Sequence, residues 1–183
     1  EVSRFPLVAQ EQEAKAKRRI GLGVTGLADA LIMCGVRYGS RQAVALTGRW
    51  MKVFNNAAYL ASTELAAEKG SFPLFQTEKF LGGKFVATLD RDIKAAIEER
   101  GMRNALVTSI APTGTISLLA KNISSGIEPV YAFDYTRHIV MEDGERRAEE
   151  VCDHAVHLFR QQFGATAPLT DAFVDAQSLS PGD

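Results

Sequence analysis

The sequence predicts an α/β fold that is rich in helices and has a few short strands. Apolar residues recur at helical spacing over the long segment 41–69 and over several shorter ones. Segments 105–111 and 129–140 instead have the apolar, β-branched and aromatic content of strands. A chain of 183 residues can bury one core, and 46% hydrophobic with 23% charged residues is typical of globular proteins.

The helices are predicted from their periodicity and from the residues at their ends. They are expected at residues 7–18, 27–33, 41–69, 90–100, 115–121 and 146–163. Ser40 and Asp90 are suitable N-caps, and glycines at 35, 70, 101 and 164 end four helices. Residues 71–88 hold four phenylalanines without a period, which indicates a structured loop packed by its aromatic rings. The Asp143-Gly144 pair predicts a turn.

Charge and cysteine content exclude several classes of protein. The net charge of −1 creates no field toward nucleic acid or anionic lipid, so neither is expected as a partner. No apolar run approaches the roughly 20 residues that span a bilayer, and the N-terminus lacks the apolar segment of a signal peptide. Two cysteines, Cys34 and Cys152, make no disulfide framework, which fits the cytoplasm. Cys34 is expected to be a buried, inert thiol on an apolar helix face.

A GxGxxG pattern at residues 21–26 suggests a dinucleotide-binding turn, but its surroundings do not support one. Such a turn follows an apolar strand and precedes an acidic residue by about 20 positions. Here the preceding residues are charged, and residues 41–50 contain no acid. The glycines are better explained by close packing of a helix against its neighbour.

Metal-binding and hydrolase sites are also not predicted. His154 and His157 follow Cys152 on one helix face, but a zinc site needs further ligands, and His138 and Cys34 are distant in sequence. These residues are interpreted as helix-surface polar groups. A G-x-S-x-G elbow is absent from the sequence.

The segment SIAPTGTISL, residues 109–118, combines a strand, a turn containing Pro112 and Gly114, and a helix start. The first amides of a helix lack intrahelical partners, and its dipole favours negative charge there. Three hydroxyl groups can add donors: those of Thr113, Thr115 and Ser117. The segment holds no lysine or arginine and lacks the ending of a Walker loop. From the residues alone, a capped corner and a phosphate-binding loop both remain open.

Three segments together resemble the large catalytic chain of ribonucleotide reductases, above all the adenosylcobalamin-dependent class. They are RRIGLGVTGLADALIMCGVRYGS (18–40), RNALVTSIAPTGTISLLA (103–120) and SSGIEPVYAFDYTRHI (124–139). The resemblance covers most of residues 10–160. It implies that residues 1–164 are the C-terminal part of a ten-stranded α/β barrel. Residues 165–183 mix Pro, Ala, Ser and Asp, which predicts a tail or linker that is partly disordered.

The resemblance also implies a substrate site and its cofactor. The phosphates of a ribonucleoside diphosphate would bind the loop formed by Ala111, Pro112, Thr113, Gly114, Thr115, Ile116 and Ser117. A scaffold beside the pocket would be formed by Gly126, Ile127, Glu128 and Pro129. The complete enzyme would use adenosylcobalamin and an external dithiol such as thioredoxin to form 2′-deoxyribonucleotides by thiyl radical chemistry.

The family's radical cysteine, in an N-x-C-x-E pattern, and its redox-active cysteine pair are missing from these 183 residues. The chain is therefore expected to be a fragment with no catalytic residue and no activity alone. Two alternatives remain: a self-contained helical binding or interaction domain, and a reductase class that generates its radical with iron or a radical protein.

Overall fold

The computed structural model describes residues 2–180 and 182. Its helices are α1 (Val8–Lys17), α2 (Leu27–Met33), α3 (Arg41–Lys69), α4 (Thr77–Leu81), α5 (Arg91–Arg100), α6 (Gly114–Leu119) and α7 (His154–Phe163), with a 3₁₀ turn at Val86–Thr88. The two strands among the described residues are β1 (Asp134–Val140) and β2 (Arg146–Cys152). The predicted helix-rich fold with few short strands is confirmed.

The chain forms two compact units. The first comprises the residues up to Gly23 together with Gly48–Ser109, and the second comprises Val24–Thr47 together with the residues from Ile110 onward. None of the helices in the described part of the chain is long and apolar enough to cross a membrane.

The first unit has a core of aliphatic and aromatic side chains. Its buried members are Ala58, Tyr59, Phe72, Val86, Leu89, Ile93, Ile97, Met102 and Val107. The predicted aromatic packing of residues 71–88 is confirmed, because the rings of Phe72, Phe75 and Phe80 contact one another with centroids 5.4–6.1 Å apart. Contrary to prediction, the segment also contains α4 and the 3₁₀ turn.

Buried polar groups in the first unit have specific partners. The Asn104 side chain accepts a hydrogen bond from Ser62 Oγ at 3.0 Å and donates to the Arg18 carbonyl at 2.8 Å. Arg103 Nη1 donates to the Lys69 carbonyl at 2.8 Å, at the end of α3. This bond satisfies a carbonyl that the helix itself leaves without a donor.

Residues 105–111 do not form the predicted strand. They contribute one isolated parallel bridge, Leu22 with Thr108, in which Leu22 N donates to Val107 O and Ser109 N donates to Leu22 O, both at 2.9 Å. The glycines at 21 and 23 therefore pack against this extended segment, and not in a helix contact as predicted.

Two N-cap predictions have opposite outcomes. Ser40 Oγ accepts from the Ala43 amide at 3.1 Å, which confirms it as the cap of α3. The Asp90 side chain does not cap α5. Its carboxylate instead accepts hydrogen bonds from the side chains of Lys52 and Asn56, each at 2.7 Å. These bonds lower the pKa of Asp90, and the bond from Lys52 has the larger effect.

The second unit contains an antiparallel hairpin where a helix was predicted to begin. Asp134 pairs with Cys152 and Val140 with Arg146, so residues 146–152 form β2 and only 154–163 form the predicted helix. Pairing with β1 overrides the local helix preference of this segment. The predicted turn at Asp143-Gly144 is confirmed, since Met141 N donates to Glu145 O across it at 2.8 Å.

The core of the second unit joins α2, α7 and the segments beside them. Its buried residues are Ala28, Ile32, Val130 and Ala155, with Tyr38, Phe133 and Phe173 packed against them. Beyond residue 164, Ala172 and Val174 are buried and Ala176 N donates to Val130 O at 2.7 Å. The division of the chain at residue 164 stays a prediction.

Two glycines, one inside α3 and one just after its end, should have opposite effects on stability when each is replaced by alanine. Gly48 lies inside α3 and Gly70 just after it at φ +81°, and neither has an atom within 4 Å of a built Cβ. Gly48→Ala should stabilise the fold by about 0.5–1 kcal/mol through helix propensity, and Gly70→Ala should destabilise it by about 1 kcal/mol through left-handed strain. Urea unfolding of both variants measures the change in the free energy of unfolding. A change of the same sign in both variants would contradict the prediction.

Candidate functional site

The 111–117 segment of the second unit turns sharply into α6. Thr113 has left-handed backbone angles, φ 48° and ψ 19°, and its carbonyl accepts the first intrahelical bond, from Ser117 N at 2.8 Å. Three amides precede that bond, those of Gly114, Thr115 and Ile116. Within the described part of the chain these amides have no acceptor. They are thus available to an external acceptor.

The hydroxyl groups of the segment have different surroundings. Thr113 Oγ1 does not cap α6 but accepts from the Gly126 amide at 2.7 Å, which leaves its proton free to donate. Ser117 is buried and its hydroxyl donates to the Gly114 carbonyl at 2.7 Å, so it holds the turn. Thr115 and Pro112 are exposed.

The structure brings the two segments selected from the sequence into direct contact. Besides the bond to Thr113, Gly126 lies so close to Ala111 that a Cβ would be 2.6 Å from its carbonyl oxygen. Glu128 N donates to Ser125 O at 3.1 Å, and the Ile127 carbonyl accepts from the Tyr38 hydroxyl at 2.8 Å. Residues 124–129 therefore fix the path of the 111–117 segment.

A cavity of about 460 Å³ opens beside both segments. Gly114 and Ser117 line it from the first segment, Glu128 and Pro129 from the second, and Arg137 brings a positive charge from β1. Sequence reasoning missed Arg137 as a site residue. The two-residue period of a strand could have indicated Arg137 as a site residue, because it places Arg137 on the same face of β1 as Tyr135, another lining residue.

Two buried carboxyl groups belong to Asp29 of α2 and to Asp153, and Asp153 lines this cavity. Burial is the main cause that raises the pKa of Asp153 to about 7, and the charge of the neighbouring Asp29 is the second cause. Burial also raises the pKa of Asp29. Sequence reasoning missed both residues.

The two cysteines are free thiols in different surroundings. Cys34 is exposed, contrary to the prediction of a buried residue, because it follows the last residue of α2 and leaves the packed face. Burial, followed by a hydrogen bond with Asp134, raises the pKa of Cys152 to about 11. That thiol is protonated at neutral pH and therefore a poor nucleophile.

None of the three histidines is among the residues that line the cavity. His154 is half-buried at the start of α7, and His157 is exposed and paired with the Gln161 amide at 3.0 Å. In the described residues, no three His, Cys, Asp or Glu side chains are grouped as metal ligands.

A helix-rich chain with two short strands, in which two loops contact each other beside a cavity at a helix start, is consistent with a fragment of an α/β barrel. The family model described as "Ribonucleotide reductase, barrel domain" matches residues 1–166. The chain therefore belongs to the ribonucleotide reductase barrel-domain family, as the resemblance implied.

Several curated relatives carry reductase names. The chain is 43% identical over 140 residues to a vitamin B12-dependent ribonucleoside-diphosphate reductase of Mycobacterium tuberculosis (strain CDC 1551 / Oshkosh), covering 76% of this chain and 18% of that protein. It is 34% identical to a protein of the same name from Thermoplasma acidophilum, covering 76% and 16%. It is 31% identical to the ribonucleoside-diphosphate reductase subunit alpha of Buchnera aphidicola subsp. Schizaphis graminum, covering 73% and 19%. The chain thus spans less than a fifth of the length of these relatives.

Proposed function

We propose that these residues act within a longer catalytic chain that reduces ribonucleoside diphosphates to 2′-deoxyribonucleotides by thiyl radical chemistry. The observation that carries this proposal is the family match over residues 1–166, together with the reductase names of the relatives. It supports a reductase over a self-contained interaction domain.

We propose that the 111–117 segment holds the substrate's phosphates. The amides of Gly114, Thr115 and Ile116 would donate to phosphate oxygens, with the Thr113 hydroxyl beside them. Gly114 has open space around it, which allows close approach of a phosphate to the backbone. The α6 dipole favours a negative charge at these amides, and the same cavity is lined by the positive Arg137 and the negative Glu128 side chains.

We propose that residues 126–129 act as scaffold and do not react. Gly126 holds the Thr113 side chain, and Tyr38 holds the Ile127 carbonyl. Both bonds keep the 111–117 segment in the conformation that presents its amides.

The cofactor proposed for the complete chain is adenosylcobalamin, which supplies the initial radical when bound. The relatives from Mycobacterium and Thermoplasma are named vitamin B12-dependent, whereas the Buchnera relative is not. The described residues do not fit a corrin site. His138 lies on exposed β1, His157 pairs with Gln161, and neither lines the cavity. We assign no residue of this chain to the cofactor.

The cytoplasm is the proposed location of the complete chain. The reductant proposed for the complete chain is a thioredoxin-type dithiol. Replacing the ribose 2′-hydroxyl by hydrogen releases water and needs two electrons, which oxidation of a dithiol to a disulfide supplies. Neither Cys34 nor Cys152 lies in the sequence context of the family's exchanging cysteines, and the Cys152 thiol, with its pKa raised to about 11, is a poor nucleophile. The exchanging pair would therefore be supplied from outside these residues.

Gly114→Val in the complete reductase chain should raise KM for a ribonucleoside diphosphate about 10- to 100-fold. The variant should fold, because no atom lies within 4 Å of a Cβ at this position. The added methyl groups would occupy the phosphate position and cost about one charged hydrogen bond, which is worth about 1.5–3 kcal/mol. Steady-state kinetics with adenosylcobalamin and a dithiol measure the effect.

Leu119→Val is the matched control, because Leu119 is 90% exposed at the far end of the same helix. Its KM should stay within twofold of the wild type. An unchanged KM in Gly114→Val would contradict the role of the segment, and no deoxyribonucleotide product from the wild-type chain would contradict the proposed reaction.

A further inference from the structure

Asp29 and Asp153 form a buried pair whose chemistry requires a proton. Asp29 is 3% exposed and Asp153 is 1% exposed, and the two carboxyl groups are close enough for the charge of Asp29 to raise the pKa of Asp153. Two ionised carboxylates are acceptors only, so a hydrogen bond between the two groups requires that one of them is protonated. Like charges that share a site cannot both ionise cheaply.

The remaining contacts of the pair agree with one shared proton. Asp153 Oδ1 accepts from the amides of Ala155 and Val156 at 3.0 and 3.2 Å, as the N-cap of α7. Asp29 Oδ1 accepts from the Ser124 amide at 3.3 Å. Asp29 Oδ2 is buried and, as a carboxylate oxygen, has no donor among the described residues. A proton shared with Asp153 would give that oxygen a partner.

The groups facing the pair offer little compensation for a second negative charge. Glu128 and Arg137 line the same cavity as Asp153, one acidic and one basic. Cys152 and His154 flank Asp153 in the chain, and the Cys152 thiol is protonated at neutral pH because burial raises its pKa to about 11. Loss of the shared proton therefore leaves two neighbouring buried groups with like charges.

The pair is connected to the proposed phosphate loop through Ser124–Gly126. Ser124 is held from both sides by Asp29, whose amide donates to Ser124 Oγ at 3.3 Å while its carboxyl accepts from Ser124 N. The next residues bind the loop directly: Ser125 Oγ contacts Ser117 Oγ at 3.4 Å, and Gly126 N donates to Thr113 Oγ1 at 2.7 Å.

We propose that Asp29 and Asp153 are a positioning pair that, by sharing one proton, holds Ser124–Gly126 and thereby the 111–117 segment in its binding conformation. The binding consequence of this inference rests on the proposed function. When the pair loses its proton, repulsion loosens Ser124 and the affinity of the segment for phosphates falls.

The test is an NMR titration of the chain from pH 5.5 to 8.5, following the amides of residues 113–117 and 124–126. In the wild type these amides should shift together in one step near neutral pH. In Asp29→Asn the side-chain amide donates to Asp153 at every pH while its oxygen still accepts from Ser124, so the step should disappear. Asp171→Asn, at an exposed carboxylate, should keep the wild-type step.

Asp153→Asn provides a second variant with the same expectation, since asparagine also caps helices and can donate to Asp29. A wild type without the step, or a step that persists in a folded asparagine variant of either residue, would overturn the proposal.

A pyrophosphate titration at pH 6 and pH 8.5 separates this inference from the proposed function. Between pH 6 and pH 8.5, the affinity of the wild type for pyrophosphate should fall by a factor at least five times larger than that of Asp29→Asn. Because both proteins bind the same ligand, this comparison cancels the effect of the ionisation of pyrophosphate itself. A pH-dependent step in the amide shifts without any pyrophosphate binding would contradict the phosphate-loop proposal but not the proposed positioning pair. Binding with an equal pH dependence in both proteins would overturn the pair's influence on the loop.

Discussion

Gly126→Ala should destabilise the second unit by about 2–5 kcal/mol, a large part of the stability of an ordinary domain. Gly126 has φ +42°, a region that costs an L-residue about 1–2 kcal/mol. In addition, a Cβ would lie 2.6 Å from the Ala111 carbonyl oxygen and 2.6 Å from Glu128 Oε2. The Glu128 side chain can rotate away, but the Ala111 backbone must move, at a cost typical of overpacking, about 1–3 kcal/mol.

The control for this variant is Gly144→Ala, in the turn of the same unit. Gly144 has φ +85° and no atom within 4 Å of a Cβ, so it isolates the backbone strain and should cost about 1 kcal/mol. Urea unfolding followed by circular dichroism measures both, and hydrogen exchange shows which unit loses protection. Equal losses in the two variants would mean that the contact with Ala111 does not restrict position 126.

Local patterns were sufficient to predict most of the helices. The periodicity of residues 41–69 and the Ser40 cap define α3 with its observed ends, because both signals arise within a few residues of one another. The same holds for the turn at Asp143-Gly144.

Structure that depends on distant partners was not predictable in this way. Residues 146–152 contain arginine, alanine and glutamate, which favour a helix locally, yet they pair with β1. Residues 105–111 have the composition of a strand, but they meet a partner only at Leu22. In both cases the outcome depends on contacts that composition does not encode.

The candidate site was predicted in part, for the same physical reason. The motif at 111–117 indicated exposed helix-start amides, and the family resemblance joined it to residues 126–129, which the structure places in contact. Asp29 and Asp153 belong to segments far apart in sequence, and each alone is an ordinary helix-end acid. Only their burial against each other distinguishes them.

The glycines of the GxGxxG pattern allow a prediction that separates close backbone packing from ordinary flexibility. Gly23→Ala should destabilise the first unit by about 2–3 kcal/mol, because a Cβ would lie 2.6 Å from the Ser109 carbonyl oxygen, next to the Leu22 bridge. Gly21→Ala should cost only about 1 kcal/mol, because its Cβ would meet the movable Ser109 hydroxyl at 2.5 Å.

A second substitution at Ser109 distinguishes the two contacts. Ser109→Ala removes the hydroxyl and leaves the carbonyl, so it should rescue Gly21→Ala and not Gly23→Ala. The measurements are the urea midpoints of the single and double variants and the exchange protection of the Leu22 and Ser109 amides, which form the bridge. Equal rescue of both glycine variants would show that the backbones can separate at this point. The two glycines would then not be required for the approach of residues 20–23 to 106–109, and their pattern would need another explanation.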